Sequence, residues 1–210
     1  PSLPFTLNSA VDNLCKNEFD HYRAKAEPHP MFIEHGIDAV PFAHEKMDEW
    51  RNNFKGIRHI DEEAGYNFGG AVDDIWEKTN GDLIVIDVKS TSKNVFDWED
   101  TYSKWEYAKG YQRQLEMYQW LLEKNGFNVA SEGYLVYYNG KKHEPMFNQQ
   151  LTFDLHLVKL ECDNSWVEEA VLNAKATLDG DMPIPSKTCE NCNYLRKRWE
   201  VSQKKPDNLL

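Results

Sequence analysis

Apolar positions along the chain recur with two different spacings, and the switches between them predict its elements. Over residues 7–26, Val11, Leu14, Cys15, Phe19 and Tyr22 fall near one face at helical spacing, with Ser9 as the expected N-cap and Pro28 and Pro30 beyond the end. Residues 36–55 read as a second helix, clearest from Phe42 through Trp50 to Phe54. Residues 66–77 and 82–89 read as strands joined through Asn80-Gly81, a pair favoured where a tight hairpin needs positive φ. The second of these strands is almost wholly apolar (Leu83, Ile84, Val85, Ile86, Val88), which predicts burial on both faces. Residues 90–110 have no clear period but carry Trp98, Tyr102, Trp105 and Tyr107; they predict a loop, either folded over the core or bordering a groove. Residues 111–124 predict a helix with Tyr111, Leu115, Tyr118 and Leu122 on one face and Gly126 past its end. Residues 132–138 and 151–161 read as strands, 166–178 as a helix, and the basic, proline-punctuated tail as irregular.

This order predicts an α/β (α+β) fold, a central sheet covered by helices. With 210 residues the chain is long enough for one domain with a substantial core. Its expected parts are N-terminal helices at 7–55, a core at 66–161, and a C-terminal helix and tail at 164–210.

The hairpin also carries the candidate chemistry. Asp73 and Asp87 fall near the ends of adjacent predicted strands, where their carboxylates can share one hard cation. Mg²⁺ needs only a few oxygen ligands and keeps several waters, so two carboxylates and the Val88 carbonyl suffice. Lys89, two residues from Asp87, shares its strand face, and its ammonium is placed to orient a water or to stabilise developing charge. The plainer reading of Asp87 and Lys89 is an ion pair at a strand end. Against it, an apolar strand has no packing reason to finish in Asp-Val-Lys while a second acid arrives from the neighbouring strand.

The formal charge of −11 argues against adhesion to nucleic acid through the whole surface. Any such contact would rest on local basic groups: Lys141 and Lys142, or Arg196, Lys197 and Arg198 with Lys204 and Lys205. A solvated surface is the alternative reading of each cluster. No apolar run reaches the length of a membrane span. Four cysteines, only Cys189 and Cys192 of them close together, do not form a secreted disulfide pattern, so a reducing, cytoplasmic setting is expected.

Taken together, the motifs resemble the PD-(D/E)XK nuclease superfamily, particularly its branch of Cas4-like, RecB-like and AddB-like nuclease domains. The resemblance is carried by Gly70-Ala-Val-Asp73, by Asp87-Val-Lys89 closing an apolar strand, and by Gln114-Leu-Glu-Met-Tyr118 on a following helix. It implies a restriction-endonuclease-like core with a mixed central sheet. It implies Mg²⁺- or Mn²⁺-dependent phosphodiester hydrolysis of single- or double-stranded DNA, by exonuclease or endonuclease action, in recombination, repair or mobile-element processing. A helicase or recombination factor is the kind of protein partner it suggests. Asp73 and Asp87 would hold the metal with the Val88 carbonyl, Lys89 would activate water, and Gln114 and Tyr118 would position Lys89 or the substrate.

The family often adds a metal-binding histidine on a helix before the first acidic strand. The spacing after Gly36 departs from its pattern, which leaves His44 as the best candidate and His35 as the second. Iron–sulfur members hold a cluster with one N-terminal and three C-terminal cysteines. Cys15, Cys189 and Cys192 resemble parts of that set, but Arg198 stands where another cysteine is needed and Cys162 matches neither element. With four thiolates the usual requirement, an intact cluster is not expected, and a zinc site lacks an evident fourth ligand. Two competing readings share the fold or the metal: a non-catalytic DNA-binding or assembly module, and a phosphoesterase acting on small molecules.

Overall fold

The Asn80-Gly81 turn joins two antiparallel strands, β4 (Asp74–Lys78) and β5 (Leu83–Thr91), in the interior of the main sheet. Gly81 has φ +87°, and the Lys78 amide bonds back to the Asp82 carbonyl at 2.9 Å. The structure, a computed structural model, describes residues 6–203. Before this hairpin come α1 (Thr6–Arg23), α2 (Pro30–Glu34), β1 (Ala39–Pro41), α3 (Met47–Trp50), β2 (Ile57–Asp61) and β3 (Tyr66–Gly70). After it come α4 (Trp98–Lys104), α5 (Glu106–Lys124), β6 (Val129–Gly140), β7 (Phe153–Glu161), α6 (Val167–Asp179) and α7 (Glu190–Ser202). The chain divides into two compact units, the first ending at Glu169 and the second beginning at Ala170.

The main sheet runs β1-β4-β5-β6-β7, antiparallel throughout except for the parallel β5–β6 pair. A parallel pair needs a crossover, and α5 lies in the connection between the two strands. It packs on β5 and β6 and is pinned to β6 by the Gln119 amide, which donates to the carbonyls of Ala130 and Glu132. The opposite face is covered by α1 and α2. There Cys15, Phe19, Met31 and Phe32 pack with Trp76, Ile84, Ile86, Tyr134 and Val136. The first five residues of β5 are buried, as a two-sided strand should be. This mixed α/β sheet flanked by helices is a restriction-endonuclease-like arrangement. No helix of the described residues is long and apolar enough to cross a membrane.

Five sequence expectations change. Residues 36–55 are not one helix: β1 pairs with β4, placing the Phe42 amide on the Ile75 carbonyl, and only Met47–Trp50 is helical. Pro41 suits this edge strand, since an edge position spares its missing N–H. Residues 66–77 are not one strand: β3 pairs with β2 in a separate hairpin, and residues 71–73 bend the chain into β4. The presumed loop 90–110 contains α4, capped by the Asp97 carboxylate on the Asp100 amide at 2.8 Å, and α5 already begins at Glu106. The presumed irregular tail contains α7, while Lys204 and Lys205 lie outside the described residues. Ser9 is inside α1 rather than at its cap.

Candidate active site

The bend at residues 71–73 determines where the site forms. Because the β4–β5 ladder begins only at Asp74 opposite Ile86, β4 offers no backbone partner to β5 further along. The Asp73 side chain takes that place, its Oδ2 accepting the Val88 N–H at 2.7 Å. A strand residue presents its N–H and C=O to the same neighbour, so the Val88 carbonyl faces Asp73 too. Asp87 and Lys89 lie on the α5 face of β5, alternating with Ile86 and Val88 on the α1 face. Their carboxylate and ammonium form an ion pair, and Lys89 also stands over the Tyr111 ring at 4.5 Å.

Asp73, Asp87, Val88, Lys89, Gln114 and Tyr118 all line one open cavity of about 380 Å³. Gln114 donates to the Tyr118 hydroxyl at 2.8 Å, fixing the two side chains one helical turn apart on α5. Tyr118 sits against bare backbone, because a Cβ built on Gly70 would come within 2.6 Å of its ring. The glycine of the Gly-x-x-Asp sequence is therefore needed to let α5 approach the bend. Burial, the proximity of Asp73 and Asp87, and the Gln114 bond act on Tyr118 together; burial dominates and pushes its phenol up to about 12.

Asp87 is 2% exposed, and burial raises its carboxyl from the usual range to about 7. The Lys89 ammonium works against that shift, and the neighbouring Asp73 works with it. Two carboxylates compete for one screened space and only one ammonium lies directly on Asp87. A cation would relieve this crowding.

Sequence reasoning missed the contribution of α1. Asp12 and Lys16 sit beside the buried stripe of Val11, Cys15 and Phe19, and of the two Asp12 lines the cavity. Lys16 Nζ lies 2.8 Å from Asp12 Oδ2 and 3.5 Å from Asp73 Oδ1, while Asp12 Oδ1 is buried without a hydrogen-bond partner. The i, i+4 acid–lysine spacing is legible in the sequence, but it equally describes an exposed helical pair. Also missed was Asp74, fully buried beside Asp73. It is ion-paired to both Arg23 and Arg51, and Asp20 bridges those same arginines from outside. Asp73 and Asp74 thus face different surroundings, one the cavity and the other a buried arginine clamp.

The remaining candidates stand elsewhere. His44 does not line the cavity: its ring stacks on Trp50 at 4.4 Å and 12°, and its Nδ1 accepts the Lys46 amide. It lies on the loop that replaced the expected helix. His35 is the exposed cap residue at the end of α2. Cys15 is in the core, accepting from the Tyr138 hydroxyl at 3.4 Å, and burial pushes its thiol up to about 12. Cys162 is pushed up to about 12 by the same cause. In the second unit, Cys189 caps α7 and its Sγ accepts the Cys192 amide, which lowers the Cys189 pKa. Lys141 is paired with Asp154 at 2.9 Å and Lys142 donates to the Ser92 carbonyl at 2.7 Å; neither lines the Asp73–Asp87 cavity. Arg196, Lys197 and Arg198 lie on α7, with Arg196 donating to Asn193.

Among the described residues no group of three or more His, Cys, Asp and Glu is arranged as a ready-made metal site. An all-oxygen set of two carboxylates and a carbonyl nevertheless fits Mg²⁺, which usually takes one or two carboxylates and fills its shell with water and phosphate oxygens. A further metal-compatible oxygen is the buried, unpartnered Oδ1 of Asp12 at the edge of the same cavity.

No curated protein matches the chain. A solved structure described as "Crystal structure of SSO0001" is similar at 21% identity and a TM-score of 0.32, over 62% of this chain and 50% of that one. The match thus spans half the length of that protein. The family model of the PD-(D/E)XK nuclease superfamily matches residues 4–196, and the chain belongs to that superfamily.

Proposed function

We propose that this protein is a Mg²⁺- or Mn²⁺-dependent deoxyribonuclease. The observation that carries the reading is the convergence of Asp73, Asp87, Lys89, Gln114 and Tyr118 on one cavity, at the position where β4 leaves β5. Asp73, Asp87 and the Val88 carbonyl are the groups that would hold the cation. When bound, it supplies charge stabilisation for the phosphoryl oxygens and acidifies water. Lys89 keeps an ammonium at the edge of the cavity, held between Asp87 and the Tyr111 ring, where it orients water or meets negative charge developing on the phosphate. Tyr118, kept neutral at ordinary pH, and Gln114 offer hydrogen bonds to the same region without adding charge. Asp12 adds to the wall from α1, and Lys16 behind it places a second ammonium 3.5 Å from Asp73 Oδ1. Recombination, repair or mobile-element processing is the setting that suits such an enzyme.

Cleavage of single- and double-stranded DNA with Mg²⁺ or Mn²⁺, compared among wild type, Asp87→Ala and Lys89→Ala, tests the assignment. Each variant is expected to lose about a hundredfold or more in rate, the usual effect of removing one preorganised charged group. Equal rates for all three proteins would sink it.

A further inference from the structure

Three aromatic rings lead from solvent to the site. Trp105 and Tyr107 are 56% and 45% exposed, and their ring centroids are 6.1 Å apart. Tyr107 then meets Tyr111 at 5.6 Å, and Tyr111, on the cavity wall, lies under the Lys89 ammonium at 4.5 Å. The local chain geometry explains the path. Trp105 sits in extended conformation at the junction of α4 and α5, which turns its indole outward, while Tyr107 and Tyr111 follow one turn apart on α5. Neither Trp105 nor Tyr107 contributes to the buried core.

We infer that Trp105 and Tyr107 form a stacking platform for unpaired nucleobases, which feeds a single DNA strand toward Tyr111 and Lys89. This deepens, and rests on, the reading of the cavity as a nuclease site. Three considerations select a single strand as the occupant. A duplex keeps its base faces stacked inside, whereas an unpaired strand presents them, and aromatic side chains bind such faces with little regard to sequence. The platform is continuous with the cavity through Tyr111 rather than a separate patch. The cations flanking it along the chain, Lys104, Lys109 and Arg113, are all ion-paired with Asp100 or Glu106. On a chain of net charge −11, attraction to phosphate is therefore a weak source of affinity here, and stacking, which does not depend on charge, has to supply it.

The test uses the full chain in two arms. In the first, fluorescence anisotropy with EDTA present measures binding of an oligothymidylate and of an abasic strand of equal length. Wild type is expected to bind the oligothymidylate about tenfold more tightly or better, and Trp105→Ala/Tyr107→Ala to lose that difference, since each stacked base contributes on this order. Trp105→Phe, which keeps a ring, is expected to retain most of it, and circular dichroism checks that the variants fold. Equal binding of both strands by wild type, or an unchanged preference in the double variant, overturns the platform. In the second arm, the double variant is expected to lose cleavage of single-stranded DNA selectively over duplex. If single-stranded and duplex rates fall in equal proportion, the platform fails and the nuclease reading stands. If wild type cleaves neither substrate with any metal, the nuclease reading itself fails.

Discussion

Asp87 combines two properties that pull against each other, near-complete burial and a proposed role that requires a charge. The unfolded chain ionises it in the ordinary carboxylate range, whereas the native protein without metal keeps its proton up to about pH 7. Between those values the native state binds more protons, so this residue's contribution to stability declines as pH rises and levels off above about 7. In EDTA, the midpoint of thermal unfolding is expected to fall more steeply from pH 5 to pH 8 in wild type than in Asp87→Asn; parallel curves would refute this. The same proton competes with a cation, so Mg²⁺ or Mn²⁺ affinity measured by calorimetry should climb through that window and flatten above it. Motif spacing in the sequence was enough to single out Asp73, Asp87 and Lys89 as candidates, while Gln114 and Tyr118 were marked by the resemblance to the nuclease superfamily. Asp12 and Lys16 have no such local signature. Their approach to Asp73 depends on how α1 crosses the sheet, which is a tertiary fact.

At the scale of elements, the misread segments share a cause. In residues 36–55 and 66–77 the apolar spacing was read as one continuous element, yet each segment is broken by backbone partners distant in sequence. The Phe42 amide bonds to Ile75, the Val72 amide to Trp50, and β3 turns away to pair with β2. The break at residues 71–73 separates Asp73 from Asp74, and the clamp on Asp74 holds the start of β4 against α1 and α3's C-terminal Arg51. Removing one member of a buried ion network leaves its partners charged and uncompensated. Asp74→Ala is therefore expected to cost about 3–5 kcal/mol in urea unfolding. A loss within the ordinary range for a surface substitution would show that water replaces the carboxylate at no great cost.

For the whole molecule, the strong negative charge and the chemistry of the site have to be reconciled. The two basic clusters marked in the sequence do not line the cavity; Lys89, which does, and Lys16, next to Asp73, are already engaged with carboxylates. Few phosphates can then be neutralised directly. The logarithm of DNA affinity against the logarithm of salt concentration is expected to have a shallow slope, no steeper than about −4, by the usual relation between slope and phosphate contacts. A slope near −10 would reveal a basic surface that these contacts do not include. The general layout of a sheet covered by helices was legible in the sequence, because β5 and α5 carry strong and different periods. The sheet order was not, since the parallel β5–β6 pair and the edge position of β1 are set by pairing between distant segments.

The hydrogen bond from the Val88 amide to the Asp73 carboxylate has a spectroscopic consequence. An amide proton in a ladder ordinarily senses a neutral carbonyl, but this one points at a carboxylate whose partner can change. Any ion that draws electron density from the Asp73 oxygens should move the Val88 ¹⁵N–¹H resonance and alter its exchange with deuterium. One isotope-labelled backbone position would thus report occupancy of the site in solution, with no substrate present and no side chain altered.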